Sequence, residues 1–201
     1  MYILRYDEID FDLNAFSASV RFRDVVKEKI QQKYSMDAKK DGIGLISAKT
    51  QLYKMLCLKP RLVEYRLRVL DLGCGRVKGD CYYTGKTGCR QYEPWLARML
   101  CELGVPVIGI DTKDLETEGF ENYTCNLLDD DLAFLPDSSI DITNASYLFN
   151  SPTLKGCISP SEEQRRQQVG TELKAKLMPQ LQRVVKPEGF FIYDEKQNRE
   201  E

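Results

Sequence analysis

An acidic residue followed directly by a Gly-x-Gly pair is the clearest chemical feature of this sequence. The segment Asp71–Gly75 reads Asp-Leu-Gly-Cys-Gly and overlaps the short apolar run Val69–Leu72, which predicts a buried parallel strand that ends in a tight turn. Glycines in such a turn let the backbone come close to a ligand, because no Cβ stands in the way. In a doubly wound sheet the ligand lies at the carboxyl ends of the strands, where the strand order reverses.

The charge of Asp71 separates two candidate ligands for this loop, a dinucleotide and S-adenosylmethionine (SAM). A pyrophosphate favours a neutral or cationic cradle at a helix N-terminus, whereas here an aspartate would face it. The third glycine of the dinucleotide pattern is also absent, since Val77 occupies its position. SAM carries an ammonium and a sulfonium, so a carboxylate at the strand end attracts it. The segment therefore favours SAM.

The elements that must position this loop follow from the apolar periodicity of the chain. The sequence predicts helices over residues 14–34, 47–58 (capped by Ser47), 94–103 and 161–185 (with a break at Gly170), and strands over 69–72, 105–110, 123–125, 140–143 and 190–193. Strands that alternate with helices indicate an α/β fold with a doubly wound, mostly parallel sheet. We expect an N-terminal helical extension or cap over residues 1–62 and a SAM-binding, Rossmann-like domain over 63–201.

The order of four motifs resembles that of the class I SAM-dependent methyltransferases. The resemblance covers residues 65–195, and the matching segments are Val69–Gly75, Val107–Asp111, Asn126–Asp141 and Leu177–Gly189. It implies a Rossmann-like fold, SAM as cofactor and methyl transfer as the reaction. It also implies a cofactor site in which Asp71 lies near the methionine moiety, Gly73 and Gly75 pass beneath the cofactor, Asp111 with Thr112 takes the ribose hydroxyls, Asn126 and Leu127 contact adenine, and Asn144 lies beside the transferable methyl.

Several of these residues also have a purely structural interpretation. Asp71 could be an N-cap or turn residue, and Asp111 and Thr112 could form a capping pair. Asn126 and Asn144 also have a structural interpretation, and the family often has aspartate at the position of Asn126.

The loop after Gly75 departs from the nucleotide-binding pattern. In that pattern an acidic residue follows the glycines by roughly 20 residues, whereas Asp111 follows Gly75 by 36. The excess falls in residues 76–92, which hold four cations, one anion and three tyrosines. This insertion is interpreted either as a lid or acceptor-binding loop for an anionic or aromatic substrate, or as a flexible solvated loop.

The end of the chain departs from the family as well. Members usually continue after strand five, whereas here only eight residues follow Tyr193. Either the sheet is truncated to five strands, or residues 1–13 supply an extra one. An unpaired edge would invite a second subunit, so a homodimer is a further prediction.

Composition limits the remaining chemistry. The chain has no histidine, which removes histidine bases, triads and metal ligands, and no metal site is predicted. A general base would therefore be a carboxylate or a tyrosine, and the candidates are Tyr147, Tyr82 and Tyr83. Seven cysteines without a Cys-x-x-Cys pair predict reduced thiols and a cytoplasmic location. A net charge of −2 argues against extended nucleic-acid binding, and the apolar runs are too short to span a membrane.

Three functions from different classes stay open at this point. The first is a methyltransferase that acts on a small-molecule acceptor. The second is a SAM-binding but non-catalytic scaffold that regulates a partner protein. The third, a nucleotide-dependent oxidoreductase, is disfavoured by the charge of Asp71.

Overall fold

The computed structural model describes residues 1–10, 26, 28–30, 32–34, 42–75, 93–112, 115–146, 148–149 and 163–194. Within these residues the chain alternates strands and helices, as the sequence predicts. The strands are β1 (Tyr2–Arg5), β2 (Val69–Leu72), β3 (Val107–Asp111), β4 (Glu121–Thr124), β5 (Ile140–Ala145) and β6 (Val185–Tyr193). The helices are α1 (Gly42–Leu58), α2 (Trp95–Glu102) and α3 (Glu163–Val184), and a 3-10 turn spans Tyr6–Glu8.

The six strands form one sheet in the order β1-β6-β5-β2-β3-β4, and every pair is parallel. From β2 the chain moves outward through β3 to β4, and then returns to the other side of β2 to form β5 and β6. The strand order therefore reverses between β2 and β5. An α/β fold with a parallel, Rossmann-like sheet is thus confirmed, and its switch point lies where the Asp71–Gly75 segment leaves β2.

Helices cover both faces of the sheet, which explains why the central strands are rich in apolar residues. On one face, α1 and α2 pack against Val69, Ile142 and Ile192 of the sheet. On the other face, α3 packs through Leu173 and Leu177 against Leu70 and Phe191. Parallel strands buried on both sides read as continuous apolar runs, and this is why the sequence located them.

The N-terminal residues complete the sheet. Tyr2–Arg5 pairs in parallel with Phe190–Tyr193, so the sheet has six strands and the second of the two alternatives for residues 1–13 is confirmed. Tyr2 stacks on Phe190 with 5.4 Å between ring centroids. The residues that follow β1 are thereby delivered to the carboxyl end of the sheet, beside β5 and β6.

Two details of the helices differ from the prediction. Helix α1 begins at Gly42, so Ser47 lies within the helix and caps nothing; its hydroxyl accepts a hydrogen bond from Gln51. Helix α3 runs through Gly170 without a break. Gly170 instead allows a close approach between segments, since a Cβ at this position would lie 2.0 Å from the Phe149 carbonyl oxygen. The predicted helix over residues 14–34 lies mostly outside the described residues.

The described cysteines are Cys57, Cys74, Cys101 and Cys125, and all four are free thiols. Among the described residues, no helix combines the length and the apolar character that crossing a membrane requires.

Candidate functional site

Asp71 and Asn144 form a buried pair at the switch point of the sheet. They occupy paired positions on the neighbouring strands β2 and β5, close to the carboxyl end of each strand. The Asn144 side-chain amide donates a hydrogen bond of 2.6 Å to a carboxylate oxygen of Asp71. Asp71 is 2% exposed and Asn144 is 3% exposed. The structure therefore brings together two residues that the sequence could place only on separate strands.

Tyr6 extends this pair into a chain of three buried side chains. Its hydroxyl donates a hydrogen bond of 2.7 Å to the amide oxygen of Asn144, and the residue is 5% exposed. Tyr6 lies directly after β1, 65 positions before Asp71 in the chain. The sequence analysis missed it, because nothing in the local pattern around Tyr6 connects it with the glycine loop.

Burial controls the protonation states of Asp71 and Tyr6. Removal from water raises the pKa of Asp71 to about 7; the Asn144 hydrogen bond opposes this shift and the nearby Asp111 charge adds to it. Burial likewise raises the pKa of Tyr6 well above its ordinary value, with the charges of Asp71 and Asp194 acting in the same direction. Near neutral pH, Asp71 therefore exists in both protonation states while Tyr6 stays a neutral hydrogen-bond donor.

The glycine loop after β2 has the backbone that the sequence pattern requires. Gly73 and Gly75 both have positive φ, at +66° and +106°, a region that disfavours residues with a Cβ. The N–H groups of Gly73 and Cys74 both donate to the carbonyl oxygen of Ile110 on β3, at 2.8 Å and 3.1 Å. The loop thus turns tightly across the carboxyl end of β3 and ends beside Asp111.

Asp111 closes the loop on its other side. One carboxylate oxygen accepts a 3.0 Å hydrogen bond from the Gly75 N–H, and the other accepts a 2.8 Å bond from the Thr112 N–H. The Thr112 hydroxyl lies 3.4 Å from that second oxygen. Asp111 and Thr112 are thus bonded to each other in the turn after β3. A carboxylate has about four lone-pair positions, so the half-buried Asp111 keeps capacity for ribose hydroxyls.

The two residues assigned to adenine lie in the turn after β4. The backbone N–H of Asn126 donates to Asp130 at 2.8 Å, its amide donates to Asp129, and its amide oxygen accepts a 3.3 Å bond from Leu128. Leu127 is 5% exposed and belongs to the core on the α3 face. Asn126 is thus held in a local network of the kind that stabilises turns.

A second polar cluster lies one strand away from Asp71 and was also missed by the sequence analysis. Ser146 directly follows β5 and donates a hydrogen bond to Asp194, which directly follows β6; Gln51 of α1 donates to Ser146 at 2.7 Å. Burial raises the pKa of Asp194. Asp194 could have been identified from the sequence, because it is a carboxylate one residue past the fifth predicted strand.

An ion-pair cluster lies directly after the insertion, where the described residues resume at Glu93. Arg98 of α2 binds both Glu93 and Glu118, and its Nε lies 2.8 Å from Glu118. The two carboxylate side chains are only 4% and 7% exposed. Because breaking a buried pair leaves an uncompensated charge, this cluster fixes the end of the insertion to the connection between β3 and β4. The insertion itself, with Tyr82 and Tyr83, lies outside the described residues, as does Tyr147.

Neither a scan against protein-family models nor a search of characterised proteins returns a match to this chain. Its function therefore has to be argued from the geometry of the site.

Proposed function

We propose that this protein binds SAM at the carboxyl ends of β2, β3 and β5 and catalyses methyl transfer to a small-molecule acceptor. The observation that carries the proposal is the position of Asp71. It is a carboxyl group at the switch point of a parallel sheet, followed at once by two glycines with positive φ. In open α/β sheets the ligand crevice lies at this point.

The charge at the site supports a cationic ligand over a pyrophosphate. Asp71 and Asp111 both lie at strand ends that border the glycine loop, and Asp194 lies two strands away from Asp71 in the same sheet. A pyrophosphate would meet this negative potential with two charges of its own. An ammonium or sulfonium would be attracted, and in a region of low dielectric constant that attraction is stronger than in water.

The burial of Asp71 refines how it would act. Because the residue is 2% exposed, its charge would reach the cofactor across a short gap of low dielectric constant rather than as a surface ligand. A nearby cation favours the ionised carboxylate, so ligand binding would draw a proton off Asp71. Asp111 would bind the ribose from the other side of the loop, while Asn126 is less suited because its amide is engaged in the turn.

SAM supplies the reactive group, a methyl carbon bound to a positively charged sulfur. The residues of the chain then have to hold the acceptor in line with that carbon and keep water away. Asp194 is the described group best placed to take a proton from an acceptor, since it is half-buried at the end of β6 and oriented by Ser146. Tyr147, Tyr82 and Tyr83 stay candidates for the same role.

The test is titration calorimetry with SAM, S-adenosylhomocysteine and NAD. We expect SAM to bind and Asp71→Asn to weaken its binding by about 10- to 100-fold, the loss typical of a hydrogen bond or contact to a charged group. Asp137→Asn is the matched control, because it removes an equal charge from a side chain that is 74% exposed and precedes β5 at the opposite end of the sheet. Tight binding of NAD, or no binding of SAM, would overturn the proposal.

Transfer of a labelled methyl group from SAM to a panel of metabolites then separates an enzyme from a scaffold. Turnover of any acceptor establishes catalysis. Tight SAM binding without turnover across the panel would favour the alternative, a SAM-binding protein that regulates a partner.

A further inference from the structure

We infer that Tyr6 is a positioning residue of the SAM site: its hydroxyl orients the Asn144 amide so that the amide NH2 group faces and supports the Asp71 carboxylate. The inference rests on the proposed function, because it assigns a role in cofactor binding. It extends the site to the N-terminal segment, which the motif pattern around Asp71 does not include.

The direction of the hydrogen bonds carries the argument. An asparagine amide has one oxygen that accepts and one NH2 group that donates. The Tyr6 hydroxyl donates to that oxygen at 2.7 Å, and the NH2 group donates to Asp71 at 2.6 Å. With the oxygen engaged by a phenol, the NH2 group is left pointing at the carboxylate. Chained hydrogen bonds of this kind polarise and strengthen one another in a buried environment.

Contacts of the backbone and of the ring hold Tyr6 in place. Tyr6 begins the 3-10 turn after β1, and that turn is closed by hydrogen bonds from Arg5 to the Glu8 carboxylate, at 2.9 Å from the backbone N–H. Lys54 of α1 donates to the carbonyl oxygen of Tyr6. The ring is part of the core beneath α1. Tyr6 is thus a fixed donor rather than a mobile surface side chain.

The surrounding charges explain why Asp71 needs this support. Asp111 at the end of β3 acts on Asp71, and Asp194 after β6 acts on Tyr6; both interactions oppose a further negative charge. The buried Cys74 thiol in the loop stays protonated, because burial raises its pKa well above its ordinary value. Lys54 of α1 is a nearby cation, which donates to the Tyr6 carbonyl oxygen and acts on Asp194. The Asn144 amide is the interaction that lowers the pKa of Asp71.

The experiment is SAM titration calorimetry across pH 5.5–8.5 on the full chain and on Tyr6→Phe. In the wild-type protein, affinity should rise as the pH passes through the pKa of Asp71, which burial raises to about 7, because the ionised form binds the cation. In Tyr6→Phe the amide loses its fixed orientation, so the pKa of Asp71 should rise. We expect the midpoint of the affinity curve to move to higher pH by about 0.5–1 pH unit, with a loss of about two- to sixfold at pH 7 that shrinks toward pH 8.5.

Two further variants keep the test decisive. Asn144→Leu removes the donor to Asp71 outright and should move the curve in the same direction and further, even if Tyr6→Phe folds poorly. Tyr65→Phe is the control, because it removes a hydroxyl from a tyrosine that is 55% exposed and precedes β2 at its amino end. The ammonium of SAM titrates identically with every variant, so a difference between curves comes from the protein.

The outcomes separate the inference from the proposed function. Equal loss of affinity at every pH would reduce Tyr6 to a packing residue and overturn the inference, as would a Tyr6→Phe curve that superposes on the wild-type curve. If the wild-type protein binds no SAM at any pH, the proposed function itself has failed.

Discussion

Asp71 and Asp111 are two aspartates at the ends of adjacent parallel strands, and the fold treats them in opposite ways. Asp71 is 2% exposed and its described hydrogen bond comes from the side chain of Asn144. Asp111 is half-buried and accepts from the backbone N–H groups of Gly75 and Thr112. The motif pattern gives the two residues the same kind of role, cofactor binding, and does not distinguish their surroundings.

The difference indicates which of the two aspartates stabilises the free protein. Backbone N–H groups require acceptors whether or not a ligand is present, so Asp111 stabilises the glycine loop in the free protein. Asp71 is buried at a cost, since burial disfavours its charged form. A side chain that the folded state disfavours in its ionised form is typical of a site shaped for a ligand rather than for stability.

The largest expected effect is on stability at alkaline pH in Asp71→Asn. The pKa of this carboxyl is about 7 in the fold, whereas an aspartate in an unfolded chain has a pKa of about 3.9. Between these values the folded state binds more protons than the unfolded state, so wild-type stability falls as the pH rises through the window. Asparagine does not titrate. We expect the variant to gain on the wild type by about 2–3 kcal/mol between pH 5 and pH 8.

Urea unfolding at the two pH values measures this gain. Asp137→Asn, on an exposed side chain paired with Arg183, should show no such gain. A free-energy difference between Asp71→Asn and wild type that is the same at pH 5 and pH 8 would contradict the assignment of Asp71 as a buried group that ionises near neutrality.

A smaller effect, of the opposite sign, is expected for Asp111→Asn. Asparagine keeps one acceptor oxygen, so the N–H of either Gly75 or Thr112 would face an NH2 group instead of a carboxylate. We expect a loss of about 1–2 kcal/mol at pH 8, the pH at which Asp71→Asn is stabilised. Urea unfolding of the two variants side by side checks the reversal, and two changes of the same sign would remove the distinction between the aspartates.

The sequence predicted those parts of the site whose residues lie close together in the chain. The strands around Asp71 and Asp111 were located because runs such as Val69–Leu72 are apolar and stop at glycine. The glycine loop was predicted because its residues are consecutive in the chain. Signals of this kind are local, and a sequence read window by window can find them.

The parts that were missed depend on contacts between distant segments. Asp71 is bonded to Asn144, 73 residues away, and Asn144 is bonded in turn to Tyr6, which follows the edge strand β1. Asp194 becomes part of the site only because β6 pairs with β5. Hydrophobic periodicity carries no information about which strands are neighbours, so these partners could not be named from it.

Asn126 shows that the surrounding residues can predict the contacts of a side chain within the protein; its assignment to adenine stays a prediction. Three aspartates follow it closely, and in the structure two of them, Asp129 and Asp130, bind it. An asparagine close to several carboxylates and just past a strand is typical of a turn. The local composition was therefore a better guide to its contacts than the resemblance.

The smallest effect is expected for Thr112→Ala, which tests how much of the Asp111 turn depends on side chains. The hydroxyl of Thr112 is 3.4 Å from the Asp111 carboxylate, whereas the backbone N–H of the same residue is 2.8 Å away. Alanine keeps the N–H, so the turn should persist and the free energy of unfolding should change by less than about 0.5 kcal/mol. Urea unfolding and SAM titration measure the two consequences separately. A loss of SAM affinity above tenfold with unchanged stability would show that the hydroxyl contacts the ligand, and would place the ribose side of the site on Thr112 as well as on Asp111.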